Sequence, residues 1–173
     1  VQTGVEVDMS GGTVVLDTGG DGLDSNGIAT ITGGTMIVSG PTDNGNGALD
    51  VNGTFLVNGG TLIAVGSSGM MVAPATTSTQ KWVAATFTAQ KAGVVQIVSG
   101  QTVLATFAST KAFASIVYSS AELTGTAYDV YVNGQATGTA TGPYSTGGSL
   151  TGATKVTTVN VDTAAAGSMG GKR

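Results

Sequence analysis

Residues 7–27 read VDMSGGTVVLDTGGDGLDSNG, residues 29–53 read ATITGGTMIVSGPTDNGNGALDVNG, and residues 55–65 read FLVNGGTLIAV. The three stretches share an apolar residue, a small polar one, Gly-Gly-Thr and an apolar run. The Gly-Gly-Thr units begin at Gly11, Gly33 and Gly59, giving steps of 22 and 26 residues. Self-similarity at such a period marks a stacked-repeat architecture. The units are too short for helix pairs, and their β-branched runs bounded by Gly, Asn and Asp predict strands and turns. Stacking puts each strand about 4.8 Å from its counterpart in the next repeat. A short parallel β-helix of about three coils over residues 1–72 is therefore expected. Its core columns would be Val7, Ala29 and Phe55; Met9, Ile31 and Val57; and Val14–Leu16, Met36–Val38 and Leu62–Ala64.

Outward from the repeats the signal changes. Residues 73–80 (APATTSTQ) read as a polar linker. Beyond it the periodicity gives way to alternating segments at 83–88, 94–98, 103–107, 113–118, 127–132 and 156–161. Ser99-Gly100-Gln101 reads as a hairpin connection and Asn133-Gly134 as a turn. An antiparallel β cap or small sandwich over 81–162 is expected, then a flexible tail over 163–173. Met70 and Met71 stand where the third repeat should carry its acidic turn, and they are expected to plug the core as a terminal repeat must. The chain starts at Val1 without an initiator Met or a signal-like segment and ends in GSMGGKR, which reads as a trimmed, mature piece.

Composition narrows the function. There is no Cys and no His, which removes disulfides, thiolate and imidazole metal sites, and the commonest general base. Charged residues make up 9% of the chain, aromatics 5%, and Gly supplies 29 positions. Seven of the 10 acidic residues fall within the first 50 positions, and all 6 basic ones lie from Lys81 onward. Nothing forms the basic stripe that phosphate binding needs, so nucleic acid is not an expected partner. No apolar run is long enough for a transmembrane helix. Cations are the expected partners of the first half.

The turns repeat as well. Asp24-Ser25-Asn26-Gly27 and Asp50-Val51-Asn52-Gly53 share Asp-x-Asn-Gly, 26 residues apart. On adjacent coils Asp24 and Asp50 would sit about 5 Å apart and repel by roughly 3 kcal/mol at an effective dielectric near 20. A cation between them removes that cost. Asp21, Asp24, Asn26, Asp50, Asn52 and turn carbonyls offer oxygens to calcium, although the same residues also serve as ordinary Asx turns. An EF-hand alignment from Asp17 fails, with Gly19 at the third position and Ile28 where the bidentate Glu belongs. Asn52-Gly53-Thr54 matches a glycosylation sequon, which inside a tight turn reads as turn chemistry.

The run GGDGLDSNGIATITGGTMIVSGPTDNGNGALDVNGTFLVNGGTLIAVGSSGM, followed by KAFASIVYSSAELTGTAYDVYVNG and GPYSTGGSLTGATKV, resembles the C-terminal part of a family of bacterial carbohydrate-binding domain proteins. The resemblance spans Val7 to Val161. It implies a right-handed parallel β-helix, calcium, and acidic plant polysaccharide such as polygalacturonate as partner. It also implies a secreted or cell-surface setting. Family members carry further coils upstream of the three present here, so only Asp21, Asp24, Asn26, Asp50 and Asn52 match as metal ligands.

Catalysis is not expected. Asp21 with Asp24 offers a carboxylate pair of the kind a glycosidase needs, but for a lyase the only Arg is Arg173 and no His is present. Two aromatic residues stand as ligand-binding candidates. Trp82 is read as packing between coils and cap or as a sugar platform, and Tyr144, among Gly, Ser and Thr, as the most exposed ring. The expected function is a noncatalytic module that binds acidic polysaccharide through calcium, strengthened by avidity along the polymer. The alternative is a self-assembling subunit of an extracellular filament or sheath. There the open first coil receives another copy end to end, or a donated strand.

Overall fold

The computed structural model describes residues 1–163, and every regular element among them is a β-strand. The chain is all-β, with parallel and antiparallel pairing both present. Among the described residues no helix is long and apolar enough to cross a membrane. The tail expected over 163–173 lies, apart from Thr163, outside the described residues.

The repeat region forms β1 (Glu6–Asp17), β2 (Leu23–Ser25), β3 (Ile28–Ser39), β4 (Leu49–Val51), β5 (Phe55–Val57) and β6 (Thr61–Gly66). β1 pairs in parallel with β3, and β3 in parallel with β5 and β6. The registers align Val7 with Ala29 and Phe55, Met9 with Ile31 and Val57, and Val14 with Met36 and Leu62. These are the columns the repeat alignment predicts. Each Gly-Gly interrupts the strand: the β1–β3 register shifts on either side of Ser10. Gly12, Gly34 and Gly60 take positive φ of 77°, 85° and 77°. That region is disfavoured for any residue with a Cβ, so the motif demands glycine.

The second half forms β7 (Trp82–Gln90), β8 (Gly93–Ser99), β9 (Thr102–Ser109), β10 (Phe113–Ser119), β11 (Ala127–Val132), β12 (Ala140–Thr141), β13 (Tyr144–Thr146) and β14 (Thr154–Asn160). The expected hairpin is present, with Ser99 opposite Thr102 and Gly100 at φ 60°. Six antiparallel strands build one sheet in the order β12-β13-β9-β8-β11-β14. The other large sheet runs β1-β3-β6-β10-β7, with β5 also on β3. Thus β10 and β7 extend the sheet of the repeats: Ile116 faces Val65 on one side and Ala85 on the other. The 73–80 segment connects β6 to β7 while β10 lies between them, and no gap in the sheet accompanies it.

Burial explains this assignment. Every residue of β10 (FASIVYS) is buried, as are Trp82–Ala85 of β7 and Leu62–Gly66 of β6. Strands with continuous apolar runs need cover on both faces, and here each face has its own core. Met36, Val38, Leu62, Ala64, Trp82, Ala84 and Val117 pack in one core with Leu23, Leu49 and Phe55. Their alternates Ile37, Ile63, Val65, Val83, Ala85, Ile116 and Tyr118 pack beneath the second sheet against Val95, Ile97, Phe107 and Val130. Of the methionines expected to plug the repeats, Met71 is buried in the first core and Met70 is half-buried.

Candidate functional site

The turn strands β2 and β4 are parallel and in register, setting Asp24 beside Asp50 and Leu23 beside Leu49. Two residues on from each Asp, the Asn52 amide donates to Asn26 Oδ1 at 3.0 Å. These two pairs are the stacked acidic turns that the sequence predicts. Asp21 is engaged separately, its Oδ1 accepting the Gly47 N–H at 2.7 Å and bracing one turn on the next. Two carboxylates and two amides are gathered, and one amide oxygen already serves its neighbour. Calcium takes six to eight oxygens, so several would have to come from elsewhere. Among the described residues no group of three or more Asp, Glu, His or Cys is arranged to hold a metal. Asn52, in the sequon, is committed to this amide ladder.

Neither aromatic candidate offers a ring to solvent. Trp82 is 1% exposed within the first core, and its Nε1 donates to the Ala75 carbonyl at 3.3 Å. The packing reading describes it, and the sugar-platform reading is corrected. Tyr144 is also buried, opposite Phe107 in the second sheet, contrary to the exposure its Gly- and Ser-rich neighbours suggest. β13 is only three residues long, but it turns the Tyr144 ring into the second core beside Tyr118. Burial pushes both phenols up. Tyr118 shares a 2.8 Å hydrogen bond with Ser120, and Tyr128 accepts the Gly125 N–H at 2.6 Å. Tyr118, Tyr128 and Tyr144 are core residues, and the hydroxyls of Tyr118 and Tyr128 are hydrogen-bonded.

The exposed feature of the repeats is their first strand. β1 pairs with β3 and with no second strand among the described residues. The later Gly-Gly units lie against the main chain of the preceding repeat. A Cβ on Gly33 would stand 2.5 Å from the Ser10 carbonyl oxygen; on Gly34 or Gly60 it would stand 2.6 Å from that of Gly12 or Gly34. At Gly11 and Gly12 the same atom would meet nothing within 4 Å. The apolar columns also open here. Val15 is 47% exposed while its register partners Ile37 and Ile63 are fully buried. Between Val15 and Leu16 on one side and Ala108, Thr110, Gly142 and Pro143 on the other lies a groove of about 400 Å³. Sequence reasoning named the open coil but not Gly11 or Val15. The signal available was a glycine kept in the first repeat, at a position where a Cβ would meet nothing within 4 Å among the described residues.

Lys111 anchors this end. Its Nζ lies 2.7 Å from Asp17 Oδ1 and donates to the carbonyls of Thr18 at 2.7 Å and Ser39 at 2.9 Å. The ammonium thus ties the ends of β1 and β3 to the loop before β10.

No protein-family model matches the chain, and searches of curated proteins and of solved structures found no match. The class the fold defines is an all-β module in which a parallel repeat sheet is continued by antiparallel strands.

Proposed function

We propose that this chain is a noncatalytic structural module: a short parallel β-helix of about three coils, closed at one side by antiparallel strands, that joins other polypeptide through its open first coil. The setting we infer is extracellular or cell-surface, in keeping with the low charge and the Gly- and Thr-rich composition. The observation that carries the reading is β1, an edge strand of 12 residues whose central glycines have nothing packed on them. An unpaired strand offers a row of N–H and C=O groups that another strand can complete. Contacts of that kind between unlike faces extend into filaments when they do not close. Sedimentation velocity and electron microscopy of the chain, in calcium and in chelator, test it. Species larger than the monomer, with ordered particles or fibres, are expected. A monodisperse monomer across the accessible concentration range overturns self-assembly.

A second reading, calcium-dependent binding of acidic polysaccharide, is supported by the in-register Asp24 and Asp50. A cation bridging them to uronate carboxylates would reconcile an acidic surface with an acidic ligand. Co-sedimentation with polygalacturonate that is abolished by chelator is the expected outcome; binding indifferent to chelator removes calcium from it.

A further inference from the structure

Resting on the first of these readings, we infer that the first coil accepts a strand of its own kind from another polypeptide. That strand runs parallel to β1, carries a Gly-Gly kink over Gly11 and Gly12, and brings an apolar residue into line with Val15. A regular strand is the poorer occupant.

Two features of the repeats lead to this. First, the kinks nest. Gly34 fits over the Gly12 carbonyl, and Gly60 over that of Gly34, each at a distance no Cβ tolerates. A strand that follows β1 along residues 6–10 must therefore bend at Gly11 to stay bonded along 13–17, and an unkinked strand pairs with only one of the two arms. Gly11 itself has ordinary φ and empty space above it, so neither the backbone nor a neighbour within the chain requires glycine there. What would require it is the carbonyl of a coil placed as Ser10 is placed on Gly33.

Second, the apolar column Val15, Ile37, Ile63 stops short at its first member. The groove beside Val15, flanked by Ala108, Gly142 and Pro143, has room for the side chain that would continue it. The turn ladder has no part in this edge, because the Gln2 N–H donates to the Asn26 carbonyl and the Val5 carbonyl lies against Gly27, so residues 2–5 already stand before that turn. Backbone kink and apolar column ask for the same occupant.

The test uses the chain as it stands and a fluorescein-labelled peptide of residues 28–39, IATITGGTMIVS, with appended lysines for solubility. Fluorescence anisotropy reads binding to the wild type, to Gly11→Val and to Gly19→Val. The last adds the same side chain at another glycine with nothing within 4 Å, in the loop that follows β1 and outside the paired strand. A second peptide replaces both glycines with valine and so lacks the kink. Saturable binding of the first peptide, weakened about tenfold or more by Gly11→Val, unchanged by Gly19→Val, and absent for the unkinked peptide, is expected. Circular dichroism melts check that Gly11→Val stays folded.

Equal binding of both peptides, or indifference to Gly11→Val, overturns kink recognition and leaves strand addition standing. If the chain sediments as assemblies yet binds neither peptide, this inference fails and the structural reading survives. A monomeric chain that binds the kinked peptide does the opposite, refuting self-assembly and upholding the occupant named here.

Discussion

Lys111 is the residue on which the open end of the repeats depends most directly, because one ammonium there serves two main-chain carbonyls and a carboxylate. Hydrogen bonds to a charged donor stabilise by roughly 1.5–3 kcal/mol each when partly shielded from water. Lys111→Met should therefore cost about 1–3 kcal/mol in urea unfolding, while Asp17→Asn should cost less, since an exposed ion pair is weak. The Lys111 hydrogen bond and charge hold the Asp17 carboxyl below its ordinary value of 3.8. For a depressed folded pKa, the stabilisation is complete above the unfolded value and is lost as pH falls through the folded one. The stability gap between wild type and Asp17→Asn should be constant at neutral pH and close as the pH falls below the ordinary value of 3.8 and through the depressed folded one, measured by urea titration at each pH. A gap that persists at lower pH would assign the effect to packing. None of this was legible from the sequence, where Lys111 and Asp17 stand 94 positions apart and neither belongs to a motif. Tyr144 shows the converse. Its polar neighbours suggest exposure, but those neighbours form the turns around a three-residue strand, and the ring goes inward.

At the level of the element, the Gly-Gly-Thr unit was readable because its two requirements, left-handed backbone and close approach, both select glycine. The two requirements separate by position, and that yields a graded prediction. Gly33→Ala, which would press a methyl on the Ser10 carbonyl, should destabilise by about 1–3 kcal/mol. Gly34→Ala adds left-handed strain to a similar clash and should cost more. Gly11→Ala meets neither penalty and should be neutral or gain up to about 1 kcal/mol through the unfolded state. Guanidinium denaturation of the three variants checks the order, and a Gly11→Ala loss as large as that of Gly33→Ala would contradict the packing described. Strands β7 to β11 and β14 were legible from alternation and turn residues. β12 and β13 were not, because two or three residues between Gly and Pro carry no periodicity. The sheet to which β10 and β7 belong was equally hidden. An apolar run announces burial on both faces, but not which neighbours supply the cover.

For the whole molecule, the shared sheet means that the repeats and the antiparallel half are not separable loads. β6 is bonded to β3 on one side and β10 on the other, and Trp82 and Val117 from the second half fill the core of the first. A fragment of residues 1–72 should consequently lack a cooperative thermal transition by circular dichroism. The intact chain should unfold in one step, with Trp82 fluorescence and tyrosine near-ultraviolet signals coincident. A well-folded 1–72 fragment would show that the repeats need no cover. The sequence's change of periodicity falls at 73–80, yet β7 beyond it runs in the same sense as β6, and the hydrogen-bonded sheet is carried across by β10 between them. The parallel registers have one more consequence. Because the strands of each repeat align in register on those of the next, the molecule carries its own ruler. Duplicating residues 28–53 would lengthen the stack by a single graduation of about 4.8 Å, whereas adding or removing one residue would turn a whole column of side chains inside out.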